Sequence, residues 1–479
     1  MGTKANVRKS AAESDKPPAP SGRQAASAAT RFEQGRALRQ ATPRISHSRL
    51  GIAKKGRDVV ALIEASNADR MEELIPLRHS RMLESPFAFY RGSSMVQAAD
   101  LVNTPSSGIT VQACGDAHLM NFGSFASPER ELVFDINDFD ETFPAPWEWD
   151  VKRLAASLVL AARWRGFSAA VAREMVAAAA ARYRGAMRDY AGQSTLAVWY
   201  SHITAADLLD RAHKRQKNEA LVKAGIREAQ RNTSEHVFHK ITTMEDGSPR
   251  IVDQPPLLFH PSNPGTNEIM SEFLAKYAAT LREDTRALFD RFRFVDAAVK
   301  VVGVGSVGTR CLIALMLGEH DDPLLLQIKE ARKSVLQPDT GGSLWKHQGE
   351  RVVTGQRLMQ ATSDIFLGWT RGPGGRDFYV RQLRDMKGAA HIEAFKVDTL
   401  ARYGGLCGEA LARAHAKAGQ ASLISGYLGA SPVFDDALQD YAVGYADQVE
   451  QDYERFREAA REGRIRTETN PSSTEIMIS

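Results

Sequence analysis

Cysteine is scarce in this chain and long apolar runs are missing. Only Cys114, Cys311 and Cys407 occur in 479 residues, far apart and without a C-x-x-C pair. That spacing excludes a zinc ribbon or a disulfide scaffold and fits reduced thiols in a cytoplasmic protein. The best apolar stretch, Leu154 to Trp164, is too short to cross a bilayer and ends in charge, so it reads as a buried helix and no membrane partner is expected. No internal repeat is found. Net charge is also small, +4, but unevenly placed: residues 1–50 carry ten Lys/Arg against three Asp/Glu. That segment has no apolar h-region, so it is not expected to be a secretory signal, and a disordered tail is the simpler reading. A nucleic-acid tether is disfavoured. What remains, 43% apolar and 25% charged, is ordinary for a globular protein, with length enough for two or three domains or one large two-lobed one.

Against that background a run of acids and amides stands out. It begins Cys114-Gly115-Asp116-Ala117-His118-Leu119-Met120-Asn121 and resumes at Val133-Phe134-Asp135-Ile136-Asn137-Asp138-Phe139-Asp140-Glu141. The spacing Asp116, Asn121, Asp135 suits Mg-ATP chemistry. One carboxylate orients or deprotonates an acceptor hydroxyl, while an amide and a second carboxylate hold the metal on the phosphates. The bland alternative is a polar turn with an Asx cap and an acidic hairpin. Among Asp138, Asp140 and Glu141, one reads as a helper for a second metal, and solvated acids or helix caps are equal alternatives. His118 is expected as a hydrogen-bond partner within the loop, and Cys114 as a small packed residue.

A second signal is G-x-G-x-x-G at Gly303, Gly305 and Gly308, with Ser306 inside it. It fits either a Rossmann turn or a glycine flap over phosphates. The flanks separate the two: Cys311 to Met316 reads as a strand, and Leu324 to Glu330 as another strand carrying Lys329. Strand, glycine turn, strand, turn, strand with lysine is the order of a protein-kinase nucleotide lobe. Glycines there let backbone amides approach phosphate, and the lysine neutralises its charge. A following helix should hold the lysine with a carboxylate. Residues 347–360 are expected to form it, with Glu350 as the partner and Gln356 a weaker option. Strands at 365–369 and 378–383 would complete the lobe.

Elsewhere, residues 50–100 read as helical, 109–114 and 131–136 as strands, and 147–192 as Ala-rich helix starting near Asp150. A basic helix covers 205–232, with a hairpin at Asp246-Gly247, prolines at 255–264, a helix over 267–292 and helices over 394–460. Arg91, in Phe87-Ala88-Phe89-Tyr90-Arg91-Gly92, reads as a structural ion pair or as an anion ligand.

Asp116 to Asn121 followed by Asp135 resembles the Gly-Asp-x-His-x-x-Asn … Ile-Asp pattern of aminoglycoside and choline/homoserine kinase-type phosphotransferases. By that resemblance Asp116 is the catalytic base, and Asn121 and Asp135 are the magnesium ligands. Asp150, in Trp149-Asp150-Val151-Lys152-Arg153-Leu154-Ala155, resembles the helix start that buttresses the loop. Two features depart from the pattern. Cys114 replaces a usual His, and the glycine loop and Lys329 follow the catalytic loop by about 190 residues instead of preceding it. A circularly permuted order reconciles them. As a whole, residues 45–455 resemble the bacterial domain-of-unknown-function family 2252, through F-Y-R-G, G-D-A-H-L-M-N-F-G, F-D-I-N-D-F-D-E, V-G-V-G-S-V-G-T-R and R-Q-L-R-D-M-K-G.

The expected fold is therefore α+β: a two-lobed, helix-rich kinase-like fold in permuted order with a small antiparallel sheet. Its expected parts are a disordered tail over 1–45 and a helical lobe over 46–292 with an insertion at about 195–265. A nucleotide lobe over 293–390, completing helices over 391–460 and a tail over 461–479 follow. The expected activity is ATP- and Mg²⁺-dependent phosphoryl transfer to a hydroxyl acceptor, a small molecule by resemblance. Nucleotidyl transfer or a regulatory pseudoenzyme on the same fold is the alternative. An NAD-dependent oxidoreductase is a further one, and requires a helix over 308–318.

Overall fold

The apolar stretch after Trp147 forms the helix Trp147–Trp164, buried along nearly its whole length. It is enclosed by Ala169–Ala191, Val397–His415, Val433–Arg461 and the short helix Pro86–Gly92. Such a helix has no solvent face, so its polar residues Glu148, Asp150, Lys152 and Arg153 are buried with it. Glu148, Asp150 and Arg153 are hydrogen-bonded inside, while among the described residues Lys152 Nζ makes no hydrogen bond and lies 4.9 Å from the Tyr441 ring centroid. Close packing around it depends on small residues. A Cβ on Gly408 would lie 2.5 Å from the Ala179 carbonyl oxygen, so the helices at 169–191 and 397–415 touch backbone to backbone.

This computed structural model describes residues 26–53, 55–214, 219–260, 266–337, 344–383 and 386–468. Helix makes up 55% of it and every strand pairing is antiparallel, which makes the class α+β. Among the described residues no helix is long and apolar enough to cross a membrane.

The largest sheet has six strands in the order Gly368–Arg371, Asp377–Gln382, Pro323–Glu330, Cys311–Leu317, Arg293–Lys300, Leu258–Phe259. Alternation along the strands sorts two apolar faces. Ala314, Met316, Leu326 and Ile328 pack under Thr266–Ala278 and Glu283–Phe289. Ile313, Leu315 and Leu325 meet Val237 and Ile241 of Ser234–Ile241. The helix Gln348–Met359 lies between the strands Gly368–Arg371 and Asp377–Gln382 and the strand Thr110–Ala113, and joins sheet to helical body. Two small sheets carry the acidic region: Thr110–Ala113 pairs with Phe143–Pro146, and Phe122–Ala126 pairs with Leu132–Ile136 and Gly388–Ala389.

Several expectations change. The segment at 1–45 is not all tail, since Ala28–Ala41 is a helix seated on Ala421–Leu428. Gly35 and Gly426 allow the crossing: a Cβ on either would lie 2.0 Å from a carbonyl oxygen of the other helix. After Arg461 the chain still packs, through buried Ile465 and a bond from Glu468 N to Ser80 Oγ (2.9 Å); residues 1–25 and 469–479 lie outside the described residues. The expected basic helix is represented by Ala205–Lys214 and Glu219–Arg231, with 215–218 outside the described residues, and the helix expected over 267–292 divides into Thr266–Ala278 and Glu283–Phe289. Strands Phe122–Ala126 and Phe143–Pro146 were not foreseen. The hairpin turns at Asp246 and Gly247, both with positive φ, as its Asp-Gly pair requires.

Candidate active site

Asp150 organises the first loop. Its carboxylate accepts from the Cys114 and Gly115 amides (2.6 and 2.8 Å) and lies 3.2 Å from His415 Nε2. Gly115 adopts φ +86°, and a Cβ there would strike the Glu141 carbonyl oxygen at 2.3 Å, so the loop threads between Asp150 and Glu141 as only glycine can. Asp116 then projects with its side chain 20% exposed. Arg153, one helical turn beyond Asp150, donates Nε to Asp116 Oδ1 (2.7 Å). Asn121 Nδ2 donates to the Asp116 carbonyl (2.7 Å), and Ser157 Oγ accepts from Leu119 N (2.9 Å). His118 Nε2 stands 3.8 Å from Asp116 Oδ2, while its Nδ1 accepts from Met120 N. Burial, aided by Arg91 and Arg153 against the pull of Asp116, lowers His118 to about 4, so a neutral imidazole faces the loop near neutral pH. Burial raises the Cys114 thiol, which fits a packed residue.

The second acidic segment divides by the direction of its side chains. Asp135 sits inside the strand Leu132–Ile136, opposite Gly123, and is fully buried. Its Oδ2 accepts from Arg413 Nη2 (2.8 Å) and Ala361 N (2.6 Å), while Oδ1 is buried without a partner. Asn121 thus serves the Asp116 backbone and Asp135 serves Arg413. The two expected metal ligands do not form an open pair, and among the described residues no three His, Cys, Asp or Glu are grouped to hold a metal ion.

The acids just past the strand behave differently. Lys329 Nζ contacts Asp140 Oδ2 at 2.5 Å and both Asp138 oxygens at 3.4 Å, with the two side chains 28% and 30% exposed. Tyr379 Oη donates to Asp140 Oδ1 (2.6 Å), and Arg381 Nη1 to the Asn137 carbonyl (3.0 Å). Burial opposes the charge on Lys329, yet Asp138 and Asp140 hold its pKa well above the usual lysine value. Burial and the neighbouring Asp138 raise Asp140; Asp138, against its own burial, is held down by Lys329, Arg381 and Lys387. Cys114 Sγ donates to the Asp138 carbonyl (3.4 Å), so the two acidic loops are neighbours. Glu141 also lies here, its pKa raised to about 7 by burial, with Oε2 accepting from Val335 N.

Glu350 is not the lysine's partner, and neither is Gln356, which bonds Gln360 (2.8 Å). The helix Gln348–Met359 presents the next residue instead. Arg351, fully buried, donates to the carbonyls of Thr142, Asp140 and Arg332. Successive helical residues turn by about 100°, so Arg351 facing inward turns Glu350 aside.

The glycine loop rests on the segment 70–92. Arg81 Nη1 reaches the Gly303 carbonyl and Arg70 Nη1 that of Val307, both at 2.5 Å, and Met71 N that of Gly308 (2.7 Å). Gly303 and Gly308 adopt positive φ; a Cβ on Gly305 would lie 3.1 Å from the Arg91 carbonyl oxygen. Ser306 closes a tight turn by accepting from Thr309 (N 3.1 Å, Oγ1 2.8 Å). A strand, Cys311–Leu317, follows where a Rossmann turn requires a helix.

Sequence reasoning missed Arg153, Tyr379, Arg381, Arg351 and Arg413. Some signals were present. Arg153 stands three residues past Asp150 on one helix face, and Tyr379 and Arg381 share a strand face by their two-residue spacing. Tyr379 is also the direct cross-strand neighbour of Lys329. Arg351 and Arg413 carry no such local mark.

Neither a curated protein nor a solved structure matches the chain. A family model described as "uncharacterized protein conserved in bacteria (DUF2252)" matches residues 70–459, a span that holds every site residue above, and the chain belongs to that family.

Proposed function

We propose that the protein is an ATP- and Mg²⁺-dependent phosphotransferase acting on a hydroxyl-bearing acceptor, built as a kinase-like fold in circularly permuted order. One observation carries this reading. Lys329, on the third strand of a glycine-turn sheet, reaches across to Asp138 and Asp140 beside the Asp116 loop. Lysine and acids lie about 190 residues apart in sequence. Their meeting supports a site built for phosphate and a hard cation over an Asx-capped turn. The sheet adds support, because three consecutive strands are neighbours in order and the two strands after Gln348–Met359 extend the same edge.

Magnesium would be held by Asp138 and Asp140, whose partly exposed carboxylates supply the oxygen donors that cation prefers, in place of buried Asp135. Bound ATP with its metal would supply the transferable phosphoryl group and the divalent charge. The chain's own residues do the rest. Asp116, held by Arg153, orients the acceptor hydroxyl and takes its proton. Lys329 balances phosphate charge once the acids turn to the metal, and Gly303, Gly305, Ser306 and Gly308 form a backbone surface above. A small-molecule acceptor and a cytoplasmic location belong to the same proposal. The strand after Gly308 removes the helix on which the NAD reading depends.

Thermal unfolding with ATP, ADP or NAD, each with and without Mg²⁺, tests the proposal on the wild type, Asp138→Asn and Lys329→Met. ATP with Mg²⁺ should raise the wild-type Tm by a few degrees, and both variants should lose most of the gain while folding without ligand. Stabilisation by NAD, or by no nucleotide, would sink it.

A further inference from the structure

The arginines around the glycine loop are almost all engaged. Arg70 and Arg81 hold loop carbonyls, Arg78 bonds Asn67 Oδ1 and the Gly92 carbonyl, and Arg153 holds Asp116. Arg332 reaches the carbonyls of Ser66 and Ala68. Arg91 is the exception. Among the described residues its guanidinium makes no hydrogen bond and no ion pair. Its Nε is buried without a partner, and the guanidinium carbon lies 6.0 Å from the Phe87 ring centroid. Leaving a cationic donor unpaired in a half-buried position costs free energy, and such a group calls for an anion.

Its place says which anion. Arg153 bridges the Tyr90 carbonyl (2.8 Å) to Asp116 Oδ1 (2.7 Å), so the backbone entering Arg91 is one guanidinium away from the carboxylate that faces the acceptor. On the other side the Arg91 carbonyl abuts Gly305. The charges that bear on Arg91 are Asp116, Glu84 and Arg81; the lysine–acid cluster of the nucleotide side is not among the leading ones. Arg91 thus stands between the glycine loop and the Asp116 loop, on the side where the hydroxyl is to be oriented.

We propose that Arg91 anchors an anionic group of the acceptor, a phosphate monoester or a carboxylate, so that the substrate class is hydroxy compounds bearing such a group. The guanidinium fork suits either oxyanion in a bidentate contact. The word acceptor rests on the phosphotransferase reading; the anion site itself does not.

Thermal titration with inorganic phosphate and with acetate, each against chloride of equal ionic strength, provides the test. It compares the wild type, Arg91→Ala, Arg91→Gln and the remote surface variant Arg188→Ala, with and without ADP and Mg²⁺. Phosphate, acetate or both should stabilise the wild type and Arg188→Ala alike. Both Arg91 variants should need about ten-fold more anion or show no shift, as loss of a charged hydrogen bond implies, while keeping the full ADP–Mg²⁺ shift. An equal anion response in the Arg91 variants, or none in the wild type, overturns the anion site. Loss of the ADP–Mg²⁺ shift in the Arg91 variants would assign Arg91 to the nucleotide and overturn the acceptor assignment. Should nucleotide fail to stabilise every form while the anion shift still depends on Arg91, the phosphotransferase reading falls and the anion site stands.

Discussion

Asp135 and Arg413 form the most deeply buried ion pair at the site, both side chains fully enclosed. Neither charge has water as an alternative partner, so removing one strands the other. Asp135→Ala should cost about 3–5 kcal/mol in urea unfolding, whereas adding Arg413→Met should recover much of that loss. Additive costs in the double variant would show that the pair is not coupled. His118 works through protons. Its folded pKa, about 4, lies below the unfolded value of 6.5, so the unfolded chain binds the proton first as pH falls. Its contribution is fully present above pH 6.5 and is lost progressively toward pH 4, up to ~3 kcal/mol. His47, lowered to about 3 chiefly by burial, adds to the same acid limb. His118→Asn, which keeps an acceptor for Met120 N, should flatten part of that limb in stability measured from pH 7 to 4. An unchanged limb would remove His118 as a cause.

Helices meet here at distances that side chains normally forbid. The N-terminal helix Ala28–Ala41 is polar over much of its surface and has one buried residue, Gly35. Its docking therefore depends on backbone contact with Ala421–Leu428 and on Arg39, which reaches the Tyr427 carbonyl (2.8 Å). Gly426→Ala would push a methyl into the Phe32 carbonyl, so the two helices must separate. Limited proteolysis should then cut within 28–41 at protease levels that leave the wild type intact, with Tm lowered. Unchanged protection would mean that side-chain contacts hold the helix. The helix Gln348–Met359 shows the opposite device: one long buried side chain, Arg351, bonds three carbonyls from two segments and ties the acidic loop to the sheet.

Across the molecule, chain order and spatial order diverge. The six-stranded sheet is built from residues 258–382, yet the helices that follow it return to the helical body formed before it. Val397–His415 and Val433–Arg461 enclose the central helix Trp147–Trp164, and Arg57 binds Asp100 (2.8 Å) and Asp452 (2.5 Å) together. A chain ending at residue 390 would expose that helix and leave Asp135 without Arg413. Such a truncation should show neither near-UV circular dichroism nor a cooperative thermal transition. A cooperative transition would show that residues before the sheet form an independent unit.

Local chemistry was legible where it depends on neighbours in sequence. Gly115 beside Asp116, the strand after Gly308, the lysine on a strand and Asp150 at a helix start are all set by turn geometry, side-chain period and helix polarity. The sequence by itself thus determined the elements and the residue types that the site contains. Only the tertiary structure decided which acid meets which cation. In Asp135-Ile136-Asn137-Asp138 the strand ends within four residues, and the facing of each side chain depends on what packs behind it: Arg413 claims Asp135, and Lys329 claims Asp138 and Asp140. Likewise a rotation of one residue on a helix exchanges Glu350 for Arg351, whose guanidinium meets the Asp140 and Thr142 carbonyls that a carboxylate could not. Charges separated by hundreds of residues pair by proximity and desolvation, and those exist only once the chain has folded.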